Sequence, residues 1–136
     1  MKKLFLLSLV AIFAYSCDFN DQPEPRNQGQ TWSLVGYQKK IDGDLKYTAV
    51  KDSAYVYTLM PDGNFIKKVE NYTLEGTYET KVVENLTHYF FKYNTKNSVL
   101  IHSCDRDMED YFINSDGHLA GTWDSCNGTK LFFRQQ

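Results

Sequence analysis

The stretch Pro61-Asp62-Gly63-Asn64 forces the chain to reverse direction. Proline presets φ, aspartate accepts local hydrogen bonds, and glycine accepts positive φ, so together they specify a tight turn. The runs on either side, Ala54–Met60 and Phe65–Glu70, suit a β-hairpin. The same grammar recurs at intervals of about ten residues from Thr31 onward. Asp42-Gly43-Asp44, Ser115-Asp116-Gly117 and Asn127-Gly128 each separate stretches rich in Tyr, Phe, Val and Thr. No segment after residue 30 carries a 3.6-residue apolar period. The pattern therefore commits residues 31–136 to an antiparallel all-β domain.

Nine strands are expected: Trp32–Lys39, Ala54–Met60, Phe65–Glu70, Leu74–Val82, His88–Tyr93, Ser98–Ser103, Asp110–Asn114, His118–Trp123 and Thr129–Arg134. That number of short strands suits a barrel or a sandwich. Alternation assigns faces. Tyr55, Tyr57 and Leu59 share one side, as do Leu74, Gly76 and Tyr78, and Leu131 and Phe133; these form the expected interior. Tyr89-Phe90-Phe91-Lys92-Tyr93 is apolar on both sides, so that strand is either covered twice or presents aromatic rings outward.

The first residues read differently. Met1-Lys2-Lys3 is basic, Leu4–Phe13 is apolar except for Ser8, and small residues then precede Cys17. This is the layout of an export signal, too short to span a bilayer comfortably. Ala14-Tyr15-Ser16-Cys17 resembles the lipobox of bacterial lipoproteins. That resemblance implies removal of residues 1–16 and acylation of Cys17 by palmitate-type chains. Ala14-x-Ser16 also fits ordinary signal cleavage, which would leave Cys17 a free thiol. Residues 17–30 are polar and hold two of the chain's three prolines, the composition of a disordered tether.

The chain has three cysteines, an odd count for an exported protein. If Cys17 takes lipid, Cys104 and Cys126 remain as the one possible disulfide; the alternative is two reduced thiols. Fifteen basic against seventeen acidic side chains give a net charge of −2. That balance offers no footprint for nucleic acid and no polybasic membrane patch. Membrane attachment then rests on the lipid.

Trp32-Ser33-Leu34-Val35-Gly36-Tyr37, Pro61-Asp62-Gly63-Asn64-Phe65, Leu74-Glu75-Gly76-Thr77-Tyr78 and the closing Cys126-Asn127-Gly128-Thr129-Lys130-Leu131-Phe132-Phe133-Arg134 together resemble the small lipocalin-like lipoproteins of Gram-negative bacteria. The resemblance implies a lipocalin-like, up-and-down antiparallel barrel of eight to nine strands, preceded by a cleaved signal helix and a tether. It also implies a location in the cell envelope, most simply the outer membrane. By analogy, Trp32 and Arg134 would pack together and close one barrel end.

Chemistry-bearing clusters are sparse. His88, His102 and His118 fall on three different expected strands, with no metal-ligand spacing among them. Asp105, Asp107, Glu109, Asp110 and Asp116 lack the glycine and terminal glutamate of a calcium loop and read as a solvated acidic loop. No Gly-x-Ser-x-Gly, phosphate-cradling loop or spare nucleophilic cysteine is present. The expectation is a protein that is not an enzyme and uses no cofactor or metal. Its barrel would bind a small or lipophilic ligand through Tyr55, Tyr57 and Tyr78. The alternative is an interaction or inhibitor module that meets a protein partner through its outer face, with Phe90, Lys92 and Phe132 exposed around a solid interior.

Overall fold

The computed structural model describes residues 29–96 and 98–136. Cys17, the signal segment 1–16 and residues 17–28 of the expected tether lie outside the described residues. Nine strands form one antiparallel sheet: β1 (Gln30–Ile41), β2 (Asp44–Ala49), β3 (Tyr55–Leu59), β4 (Asn64–Val69), β5 (Tyr72–Val83), β6 (Leu86–Tyr93), β7 (Met108–Ile113), β8 (Leu119–Gly121) and β9 (Lys130–Gln135). Eight of them close into an up-and-down barrel, because β9 pairs back onto β1. The ninth, β2, stands apart. Among the described residues it pairs only with the second half of β1, Gly36–Ile41, while β3 takes Gln30–Ser33 on the same edge.

The hairpin at Pro61 forms as its residues dictate. The Asp62 carboxylate accepts from the Asn64 amide at 3.0 Å, and the Met60 and Asn64 main chains close the turn. Leu59 then pairs with Phe65, which keeps Tyr55, Tyr57 and Leu59 in step with Phe65, Lys67 and Val69 on the inner face. A bulge between Leu34 and Gly36 shifts the phase of β1, so Leu34 and Tyr37 both pack against the core. Inside lie Trp32, Tyr55, Tyr57, Leu59, Phe65, Phe91, Tyr93, Tyr111, Leu119, Leu131 and Phe133. A barrel this narrow fills with its own side chains, and here the filling is aromatic.

Two sequence expectations change. Ser98–Ser103 is not a strand: those residues turn inward across the barrel end and bury Ile101. In their place β2 appears, made of Asp44-Leu45-Lys46-Tyr47-Thr48-Ala49. Its alternation is broken by charge, and all six residues are exposed, so no buried face marks it in the sequence. The expected tether also ends slightly early, since Gln30 already pairs with Leu59.

The register defines two ends. The leading end holds Gln30, the turn at Pro61, the β5–β6 turn and the β7–β8 turn. The plugged end holds residues 98–107 and a 3-10 turn, Trp123–Cys126. A disulfide between Cys104 and Cys126, Cα atoms 5.9 Å apart, staples these two segments together.

Gly76 on β5 is the tightest point of the wall. A Cβ there would overlap the Lys92 carbonyl of β6 and come within 2.8 Å of the Phe65 ring. Gly76→Ala is expected to destabilise the domain by about 3 kcal/mol through overpacking, read from the shift of its urea midpoint. An unchanged midpoint would contradict this wall geometry.

Candidate functional site

The interior is dominated by two opposite charges. Lys67 on β4 and Glu109 on β7 are both fully buried and meet at 2.7 Å. Strand parity puts them there, Lys67 between Phe65 and Val69 and Glu109 two residues before Tyr111. The carboxylate also accepts from the Tyr57 and Tyr93 hydroxyls and from the His102 backbone amide. The ammonium donates a second bond to the Leu100 carbonyl. The pair therefore grips the main chain on both sides of Ile101 and holds the plug in the barrel end. Among the described residues, no buried side-chain nitrogen or oxygen lacks a partner.

Burial alone raises the Glu109 carboxyl, but the Lys67 ammonium and the hydrogen bonds from Lys67, Tyr57 and Tyr93 outweigh it and hold it below its ordinary range. Burial pulls the Lys67 ammonium down, and the Glu109 carboxylate only partly offsets this. The two shifts do not mirror each other. The short contact and the extra donors on the carboxylate decide in favour of an ionised pair at neutral pH. Tyr55, Tyr57, Tyr93 and Tyr111 are pushed well above the usual phenol range, first by burial, so they stay protonated.

His102 completes the seal. Its Nδ1 lies 2.7 Å from the Tyr55 hydroxyl, and its ring stacks on Trp123 at 4.9 Å. Burial first, then the Lys67 charge, lowers its pKa to about 4. The imidazole is neutral at pH 7 and shares one hydrogen bond with the Tyr55 hydroxyl through Nδ1.

These contacts relocate the sequence expectations. Tyr55 and Tyr57 do not line a ligand mouth: both are buried, with their hydroxyls engaged by His102 and Glu109. Tyr78 lies at the other end, donating to the Met60 carbonyl at 3.0 Å. The structure does not bring the three together, because Tyr55 and Tyr57 face the plugged half of the barrel and Tyr78 the leading end. Trp32 and Arg134 do not meet either. Trp32 points inward against Tyr89, whereas Arg134 follows the inward Phe133 and so stands exposed outside. The acidic run is not one loop. Glu109 is buried, and Asp110, one residue on, faces outward to His88 at 2.8 Å. Among the described residues, no group of three His, Cys, Asp or Glu side chains converges on a metal position.

The outer wall has two unlike halves. Across β1, β3, β4 and β5 the outward residues are Ser33, Val56, Thr58, Ile66, Lys68 and Glu75. Across β6 to β9 the wall is aromatic. His88 pairs with Phe112, Phe112 with Ala120, Ala120 with Phe132, and Phe132 with Gly36. Phe90 stacks on His88 at 5.8 Å, and Tyr47 of β2 crosses the bare backbone at Gly36 to meet Phe132 at 5.7 Å. Phe90, Phe112 and Phe132 are each half-buried, and Tyr47 is 54% exposed. Lys81 and Lys130 lie over the rings of Phe90 and Phe112. Lys92 is exposed beside this band, at the plugged end. No family model, curated protein or solved structure matches the chain.

Removing Glu109 strands an ammonium in the core. Glu109→Gln is expected to cost about 3–5 kcal/mol in chemical denaturation, and Lys67→Met with Glu109→Leu should recover only part of that loss, because the Leu100 carbonyl and the His102 amide lose their partners. A single substitution without measurable effect would show that the pair does not hold the plug. Acid provides a second check. The folded pKa of His102, about 4, lies below its unfolded value near 6.5, so the folded state binds fewer protons. Its contribution is present above about pH 6.5 and is lost as pH falls toward 4, at up to about 1.4 kcal/mol per pH unit. Glu109 is depressed too, and its contribution goes at lower pH, as the folded carboxyl protonates. Unfolding free energy measured against pH should slope in that window, and His102→Gln should flatten the slope.

Proposed function

We propose that this chain is a non-enzymatic protein-binding module of the cell envelope, tethered by an acylated Cys17 and meeting its partner through the aromatic band of β6–β9. The observation that carries the reading is the contrast between a barrel core filled by a fixed polar network and an outer wall with aromatic rings gathered on one half. Half-exposed aromatic rings are the residue class enriched at protein interfaces, where a few anchoring side chains carry most of the binding energy. The tether reading fits the same geometry. The described chain joins the barrel at its leading end, so a lipid at Cys17 leaves the side wall and the plugged end open to a partner. The resemblance to small lipocalin-like lipoproteins supports the anchor and the envelope location.

Site-specific photo-crosslinking tests the surface. Benzoylphenylalanine at Phe90 or Phe132, in cells that make the protein, is expected to give discrete adducts on irradiation. The same probe at Thr73, on the opposite wall, should give none. Adducts of equal yield at all three positions, or none at the band, would overturn the assignment. Mass spectrometry of the mature N-terminus checks the anchor: a diacylglyceryl thioether at Cys17 is expected, and a free thiol there would sink that part.

A further inference from the structure

We propose that the groove between the β1–β2 hairpin and the Trp123–Cys126 turn receives an acidic, extended segment of the partner protein; the assignment rests on the protein-binding reading above and names the partner's chemistry. The groove encloses about 600 Å³ and is lined by Gln38, Lys39, Lys40, Leu45, Asn127 and Lys130, among others.

Its shape follows from where pairing stops. β9 begins at Lys130, opposite Gln38, because the chain before it is drawn away through the 3-10 turn. Beyond Gln38, β1 continues through Lys39, Lys40 and Ile41 with β2 on one edge and, among the described residues, no strand on the other. A bare strand edge beside a groove is the geometry that accepts an extended segment by main-chain pairing. An isolated edge of this kind is a liability unless charge guards it or a partner covers it.

The charge selects the occupant. Three lysines line the groove against one carboxylate, Asp124, which is held by Lys130 at 3.2 Å. Asp42 and Asp44 sit at the hairpin tip outside the lining. The groove lining thus carries three lysines to one carboxylate, in a chain whose net charge is −2. A second copy of the chain would set Lys39 and Lys40 against themselves. A nucleic acid would face an acidic protein with only this short basic stretch. In a segment paired on this edge, alternate carboxylates face Lys39, and the apolar residues between them face Leu45, which shares a side with Lys40 and is 62% exposed in the groove lining. The groove also runs into the aromatic band. Lys130 lines it and covers Phe112, while Tyr47, two residues from Leu45, packs on Phe132.

Fluorescence anisotropy with the full chain and a labelled Glu-Val-Glu-Val-Glu-Val peptide tests this. Saturable binding is expected that weakens with salt and falls at least tenfold in a Lys39→Glu, Lys40→Glu double variant. Both lysines are exposed, so circular dichroism should show the fold unchanged. Lys68→Glu, exposed on the opposite wall and outside the groove, should bind as the parent does. Failure of the peptide to bind would overturn the proposal. So would equal binding of a Lys-Val counterpart, equal binding by the double variant, or equal affinity for an oligothymidylate of matching charge. The crosslinks separate the two readings. If adducts at Phe90 and Phe132 persist at full yield in the double variant, the groove assignment falls and the protein-binding surface stands. If no adduct forms in the parent either, the protein-binding reading itself falls.

Discussion

The Lys67–Glu109 ion pair is the interaction on which the rest of the barrel depends. Net stability does not account for it, since well-packed apolar residues often replace such pairs at no loss. Its effect here is positional. The two charged heads present a donor and an acceptor at fixed places in an aromatic cavity. The plug supplies the Leu100 carbonyl and the His102 amide to match them. Ile101 is thereby held inside, and His102 is placed between Tyr55 and Trp123. The Cys104–Cys126 disulfide then restrains the plug from its outer side. Polar capture from within and a covalent staple from without act on the same short segment.

The buried core leaves the accessible side chains on the outer wall. Tyr55, Tyr57, Tyr93 and Tyr111 are committed to packing and to the buried network, so they offer nothing to solvent. What remains is the contrast between the two outer walls and the corner where β1 outruns β9. The aromatic band and the lysine-lined groove adjoin through Lys130 and Tyr47, which gives one side of the molecule both apolar area and positive charge. The proposed partner, apolar and acidic in alternation, would match both, and electrostatic complementarity of that kind governs encounter and orientation more than raw affinity.

Much of this was legible in the residues. The Pro61–Asn64 turn, the inward faces of β3, β5 and β9, and the two-sided apolar character of β6 all follow from local chemistry and a period of two. The buried charges carried a readable signal that parity alone would have given. Lys67 alternates with Phe65 and Val69, and Glu109 with Tyr111 and Ile113, so each lies on an inward row. Read instead with its acidic neighbours, Glu109 looks like part of a solvated loop. Strand alternation sends Asp110 out to His88 and Glu109 in to Lys67, a division that net charge along the sequence hides. β2 had no such signal, because an exposed strand with no buried face leaves no apolar period to detect.

The sequence by itself determined the local ladders: where the chain turns, which residues alternate, and that the domain is antiparallel β throughout. Tertiary structure alone decided what the inward residues meet. Lys67 finds Glu109 across 42 positions, Tyr55 finds His102 across 47, and β9 finds β1 to close the wall. The reason is physical. Turn chemistry and side-chain parity act between neighbours and are written in short stretches. The contents of a closed interior are set by strand number, register and the volume left over, which exist only once the last strand has paired with the first.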